Sequence, residues 1–596
     1  MDVKTVRIGG ASGFWGDSSV GAPQLVRHGD IDYLVFDYLA ELTMSILAAA
    51  RLRKPELGYA TDFVTVTMKA LLGDIAARGI RVVSNAGGMN PHGCAQAIAA
   101  LAAEQGLTLP IAVVEGDDVM PLLPQLREAG VQDMQKGRPL PEKVVSANAY
   151  LGALPIKQAL DQGAQIVITG RCVDSAVTLG VLMHEFGWEA DDYDRLAQGS
   201  LAGHIIECGC QATGGLHTDW ESVPNWHDIG YPVVECRADG TFLVGKPPAT
   251  GGLVNTATVG EQVLYEIGDP ATYLLPDVTC DFTQVTLRQA APDLVEVSGA
   301  RGRAPGNAYK VCATYVDGFR CNAQLSIVGV DAVAKAERTA QAILARTRKL
   351  FGENGWGDYS RTHIEVLGAE SCFGPHAAVR HTREAVMRLA VMHPENAALE
   401  LFAREIAAAG TSWAPGTTGS AGGRSSPSPS ICQYAFLLAK SALIPAVVMD
   451  GVRSGVTVPS GSPAVPVAPV APSLAEATGT GPAESDTVEV PLIRLAYGRS
   501  GDKGDTSNIG LIARRPAYLP VLRAEVTVAR VADWLGYLVK GPVTRYDLPG
   551  FDAMNFVCES ALDGGGMASL RNDPLGKGMA QILLTMPVRV PRELLS

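Results

Sequence analysis

The sequence has no apolar run of the roughly 18 residues that a membrane-crossing helix needs. Its start, MDVKTVRIGG, has no apolar signal core and reads directly as a strand. Positive charge is in deficit: 49 Lys and Arg stand against 62 Asp and Glu, a net −13. That balance argues against nucleic acid and against an anionic membrane surface as partners, while leaving room for a local basic pocket. A cysteine framework is missing too. The 11 cysteines are scattered and odd in number, and read as reduced thiols of a cytoplasmic protein. Nucleotide fingerprints are absent: GGASGFWGD and SNAGGMNPHG both fail G-x-G-x-x-G, so NAD is not expected. GTTGSAGGRSSPSPS, residues 416–430, has no lysine after its glycines and is no P-loop. It reads either as a plain irregular loop or as a backbone cradle for a phosphate.

What the chain does have is length and apolar content. Its 596 residues are too many for one core and predict roughly three or four domains. Hydrophobic content of 47% with 19% charged residues fits a globular protein rich in buried sheet. Over the first two hundred residues one theme repeats: a short apolar run, a polar or glycine-rich loop, then a helical stretch. The runs end before GGASGFWGD, Asp37, SNAGGMNPHG, EGDD and TGRCVDSA. This pattern predicts βα units and a mainly parallel sheet, doubly wound or, alternatively, closed as a barrel. All five polar loops then fall at one edge, the carboxyl ends of the strands, where such sheets bind ligands.

From about Leu274 the texture changes. Alternating runs near Thr283–Leu287, Lys310–Tyr315 and Gln324–Val328, with long helices, predict an α+β subdomain over 274–455. Asp331 is placed to N-cap one helix, and His393-Pro394 to open another. Residues 456–486 are rich in Pro, Ala, Gly and Ser and read as a semi-extended linker. The expected division is thus an α/β domain over 1–273, the subdomain, the linker, and a small α+β domain over 487–596.

Several motifs carry candidate chemistry. TGRCVDSA sets Arg171 and Asp174 on one helical turn after a strand: arginine to hold an anion and aspartate as base, or simply a structural ion pair. Glu207, after an apolar pair, is a candidate acid–base group with a raised pKa. SNAGGMNPHGC offers Asn85 with Gly87 and Gly88, and the first loop offers Gly9 and Gly10, as places where backbone can approach a ligand. In EGDD, Asp117 and its neighbours read as a helix start or, less readily, as oxygen ligands for a divalent cation. No resident metal is expected. His204, Cys208, Cys210 and His217 match no common zinc spacing, and neither Cys172 nor Cys208 has an assignable histidine partner for nucleophilic catalysis. His227 and Asp228 form a further proton-transfer candidate, and Lys246 a contact for an anionic group.

The densest polar stretch is SGDKGDTSNIG, residues 500–510, between two apolar runs. A solvated hairpin needs fewer polar groups than this. Lys503 between Asp502 and Asp505, followed by Thr506, Ser507 and Asn508, predicts an anion site or an interface completing a site on the main domain.

RIGGASGFWGDS, DYLVFDYLAELTM, SNAGGMNPHGC, VEGDD, TGRCVDSA, NWHDIGYP and GKPPATGG, in this order, resemble the acyclic terpene utilisation AtuA family. YGRSGDKGDTSNIGLIARRP resembles the ferredoxin-like domain often fused to it. The resemblance implies a role in citronellol or geraniol breakdown through CoA thioesters. It supplies no catalytic residues to carry over. With the loops above, the expectation is a cytoplasmic, homo-oligomeric acyl-CoA lyase or hydro-lyase that needs no cofactor beyond the CoA of its substrate. Its catalytic set would be Arg171, Asp174, Glu207, Lys503 and Asp505, with Asn85 and Glu115 in the same cleft. The alternative is a non-catalytic scaffold for a pathway complex.

Overall fold

The computed structural model describes residues 4–419, 423–463 and 487–595. Most of the expected linker, 464–486, and residues 420–422 of the glycine-rich loop lie outside the described residues.

Five short apolar strands form the parallel centre of the main sheet. They are β1 (Thr5–Gly10), β2 (Tyr33–Phe36), β3 (Arg81–Ser84), β4 (Ile111–Glu115) and, after β5 (Val144–Ala149) in another sheet, β6 (Ile166–Thr169). Their spatial order is β1-β2-β3-β6-β4. Alternate residues feed two separate cores, Val6, Ile8, Val35 and Val83 on one face and Leu34, Phe36, Val82 and Ile168 on the other. Burial on both faces is why these strands read as unbroken apolar runs. Antiparallel strands extend the sheet to eleven and leave two edges, Thr286–Ala291 and Val452–Gly455, so it is open and not a barrel. The sheet therefore draws strands from both sides of residue 273.

A second sheet is built on one long strand, Ala308–Val328, bulged between Val316 and Phe319. It joins the Lys310–Tyr315 and Gln324–Val328 runs, expected as separate strands, and pairs with β5, Ser428–Ala439 and Glu384–His393. Asp331 does precede the helix Ala332–Glu353, but at φ 58° its carboxylate makes no capping bond. The strand Glu384–His393 consumes His393, so the next helix starts at Asn396, beyond Pro394. The C-terminal domain holds a four-stranded antiparallel sheet whose first hairpin is Ala496–Lys503 with Thr506–Ala513.

Candidate active site

Three strand-end loops of the main sheet build one polar cluster. Beyond β2 the chain places Asp37, buried; beyond β3 it places Asn85, fully buried. Asn85 is spent on its neighbours: its amide oxygen accepts from the Tyr38 N–H at 2.7 Å, and its NH2 donates to the Asp37 carboxylate. Beyond β6, the Arg171 N–H donates to Asp117 at 2.8 Å, and the Arg171 guanidinium donates to the Leu39 carbonyl at 2.7 Å and to Asp174 at 2.9 Å. Tyr150 lies under the guanidinium, 4.1 Å from it. Arg171 is thus anchored on several sides, while the Asp174 side chain stays 29% accessible.

The fourth contributor is the C-terminal end of the helix Tyr193–Ile206. His204 Nε2 faces the Gln262 carbonyl at 2.9 Å, so that nitrogen carries hydrogen. Its Nδ1 faces the Glu207 carboxyl at 3.0 Å. The two residues hold a proton between them. Burial pushes the Glu207 carboxyl up against the pull of His204, and Glu207 in turn outweighs burial to push His204 up. Asp37 is held well above the usual carboxylate range by burial, reinforced by Asp174 and Glu207, with Arg171 and Asn85 opposing. The cluster therefore contains carboxyl groups whose hold on a proton is strengthened by burial and by one another.

The fifth contributor comes from the C-terminal domain. Lys503 ends one strand of its hairpin, opposite Thr506, across the two-residue loop Gly504–Asp505. Gly504 takes φ +66°, the positive φ that two-residue hairpin loops favour. The other glycines of the motif serve docking. A Cβ on Gly510 would stand 2.4 Å from Leu264 Cβ, and one on Gly501 2.5 Å from Glu266 Cγ. Asn508 then clamps the contact, donating to the Leu264 carbonyl at 2.7 Å and accepting from the Glu266 N–H at 3.0 Å. So seated, Lys503 Nζ lies 3.3 Å from Glu266. Burial alone would lower its pKa, but Glu266, Tyr273, Asp174 and Glu207 outweigh it and push the ammonium well above its usual range. The Lys503 side chain is nevertheless 47% accessible and that of Asp174 29%, while Asp37 and Glu207 lie deeper.

The family comparison agrees with this architecture. The family model "Acyclic terpene utilisation family protein AtuA" matches residues 6–449, and the "AtuA ferredoxin-like domain" model matches 490–589. The chain belongs to the AtuA family. No curated protein and no solved structure matches it. The two AtuA matches cover the two bodies whose seam holds the cluster: Lys503 lies in the range matched by the ferredoxin-like domain, and the other cluster residues in the range matched by the AtuA main body.

Several expected site residues have other duties in this AtuA chain. Asp505 binds Lys136 at 3.0 Å and accepts from the Gly564 N–H at 2.7 Å, locking the hairpin tip to neighbouring loops. Ser507 donates back to the Gly501 carbonyl at 3.0 Å, and Asn508 is used up in docking. Thr506 closes the hairpin. Lys246 is tied to Asp293 at 3.2 Å and to the Thr250 carbonyl at 3.1 Å, and is too buried to meet a CoA phosphate. The space a ligand would need at Gly9, Gly10, Gly87 and Gly88 is filled by Leu25, the Ile206 carbonyl, the Thr169 carbonyl and Leu47. Asp117 accepts from Arg171 N–H and Asn148, and burial pushes it up to about 6. It positions Arg171 from behind. Glu115 is drawn away to His92 and Arg453, so the EGDD acids diverge. Among the described residues no group of three or more His, Cys, Asp or Glu could hold a metal ion. Burial pushes the Cys172 thiol up to about 12 and Cys208 well above its usual range, which disfavours thiolate chemistry. Asp228 accepts from Gln24 while His227 is exposed.

Asp37, His204, Glu266 and Tyr273 belong to the cluster without having been singled out as catalytic in the sequence. Asp37 obeys the same strand-end rule as Asp174. His204 was legible only as a zinc ligand, because its spacing to Glu207 acquires meaning once both share a helix end.

Proposed function

We propose that this chain is an acid–base enzyme of acyclic terpene breakdown, adding water to or removing it from a branched acyl-CoA thioester. The observation that carries the reading is the placement of Lys503, from one domain, beside Asp174 and Glu207, from the other, with the Lys503 and Asp174 side chains open to solvent. Removing water next to a thioester needs three things: a base for the carbon-bound proton, a cation for the oxyanion, and an acid for the leaving hydroxyl. Asp174, accessible and held by Arg171, takes the proton. The electron pair moves to the thioester oxygen, which Lys503 stabilises. The proton shared by His204 and Glu207 goes to the hydroxyl, which departs as water. Hydration runs the same steps in reverse. Family membership in acyclic terpene utilisation supports the substrate class.

The test is incubation of the full chain with branched enoyl-CoA thioesters in oxygen-18 water, read by mass spectrometry. A hydrated product carrying the label, abolished in Lys503→Ala, supports the reading. No labelled product from any branched C5 to C10 thioester, with a folded protein, removes it.

A further inference from the structure

A concavity lined by none of the cluster's residues lies where the strand Arg361–Leu367 of the second sheet faces the C-terminal domain. It encloses about 780 Å³. Pockets that take small organic ligands span about 300–1,000 Å³. One wall is apolar: Phe373, Tyr537, Leu538, Leu562, Met579 and Ile582.

The polar wall is short of acceptors. Its carboxylates are engaged: Asp563 by Arg361, Glu365 by Arg388 and by the Asn572 N–H at 3.1 Å, and Asp573 by the N–H groups of Lys577 at 2.9 Å and Gly578 at 2.8 Å. Arg571, in contrast, donates only to carbonyls, those of Ala561 and of Leu538. Among the described residues no carboxylate pairs with it. A guanidinium without a counter-ion, beside an apolar wall, fits one kind of guest.

We infer that this cavity is a second binding site, for an amphipathic organic anion with an apolar body and a single carboxylate. The carboxylate meets Arg571, and the apolar body lies along Phe373, Leu562 and Ile582. The site is independent of the acid–base cluster and goes beyond the reaction proposed there.

The test is calorimetric titration of the full chain with decanoate, decanol and decyltrimethylammonium. Decanoate is expected to bind at one site, at least tenfold tighter than the other two. Thr362→Trp and Gln581→Trp, two exposed positions on the cavity lining, fill the space without touching the core. Each is expected to weaken decanoate at least tenfold with an unchanged melting temperature, while Lys503→Ala leaves decanoate binding as it was. Equal affinity for all three probes, or binding lost in Lys503→Ala and retained in both tryptophan variants, overturns the inference.

Discussion

Lys503 and Glu266 meet across the seam between the C-terminal domain and the main body, Nζ 3.3 Å from Oε2. The other oxygen of Glu266 holds Lys577 at 3.2 Å. Of the groups that keep Lys503 charged, Glu266 contributes most. Replacing it by the neutral isostere in Glu266→Gln lowers the lysine pKa. The high-pH limb of activity is therefore expected to move to lower pH, with the low-pH limb little changed. A pH–rate profile of turnover checks this, and an unmoved high-pH limb would separate Lys503 from the reaction.

Gly510 faces the side chain of Leu264, and a Cβ there would approach Leu264 Cβ to 2.4 Å. Gly510→Ala forces the seam apart, at a cost of about 1–3 kcal/mol for overpacking. Because the strand itself tolerates alanine, the damage is confined to docking. The expected outcome is lost turnover and a lower melting temperature for the whole chain, with the C-terminal domain expressed alone unaffected by the same change.

Glu261, 1% exposed, is the buried hub of the same seam. It accepts from His217 at 2.9 Å, from the Thr218 N–H at 3.1 Å and from Arg499 of the C-terminal domain at 3.3 Å. Arg499→Met strands a buried carboxylate and is expected to cost about 3–5 kcal/mol. Removing both charges in Glu261→Gln/Arg499→Met is expected to recover much of that loss. Thermal unfolding of the two variants, side by side, measures the difference.

Asp117 offers a pH test of stability. Burial raises its carboxyl from 3.8 to about 6, so the folded chain holds that proton more tightly than the unfolded chain does. Its contribution is fully favourable below about pH 4 and is lost as pH rises through 6, a swing of about 3 kcal/mol. In Asp117→Asn the amide oxygen can still accept from Arg171 N–H and Asn148. The variant is expected to gain on the wild type between pH 4.5 and 7, and parallel melting curves over that range would contradict the assignment.

The parallel sheet was legible because strands buried on both faces cannot alternate, and Arg171 and Asp174 because strand ends converge. Lys503 was legible from the charge density of its loop. Its neighbours left two readings open, an anion site or an interface, because docking two domains needs the same polar groups that binding a ligand needs. Ser507, Asn508 and Asp505 satisfy backbone and loops, and only the partner surface reveals that. Asp37 was legible as one of the five strand ends, but a lone carboxylate among apolar neighbours suggested no chemistry for it. The 21-residue strand Ala308–Val328 escaped because a polar bulge divides its apolar pattern into two.

The most direct measurement is deuterium wash-in from heavy water at the carbon next to the carbonyl of a branched acyl-CoA, comparing wild type, Asp174→Asn and Lys503→Ala. If Asp174 removes that proton and Lys503 holds the oxyanion, the wild type exchanges it. Asp174→Asn is then expected to lose exchange at least a hundredfold, and Lys503→Ala by roughly 2–4 kcal/mol in the barrier, both with near wild-type melting temperatures. Exchange that proceeds at the wild-type rate in both variants would contradict an acid–base centre shared between the two domains.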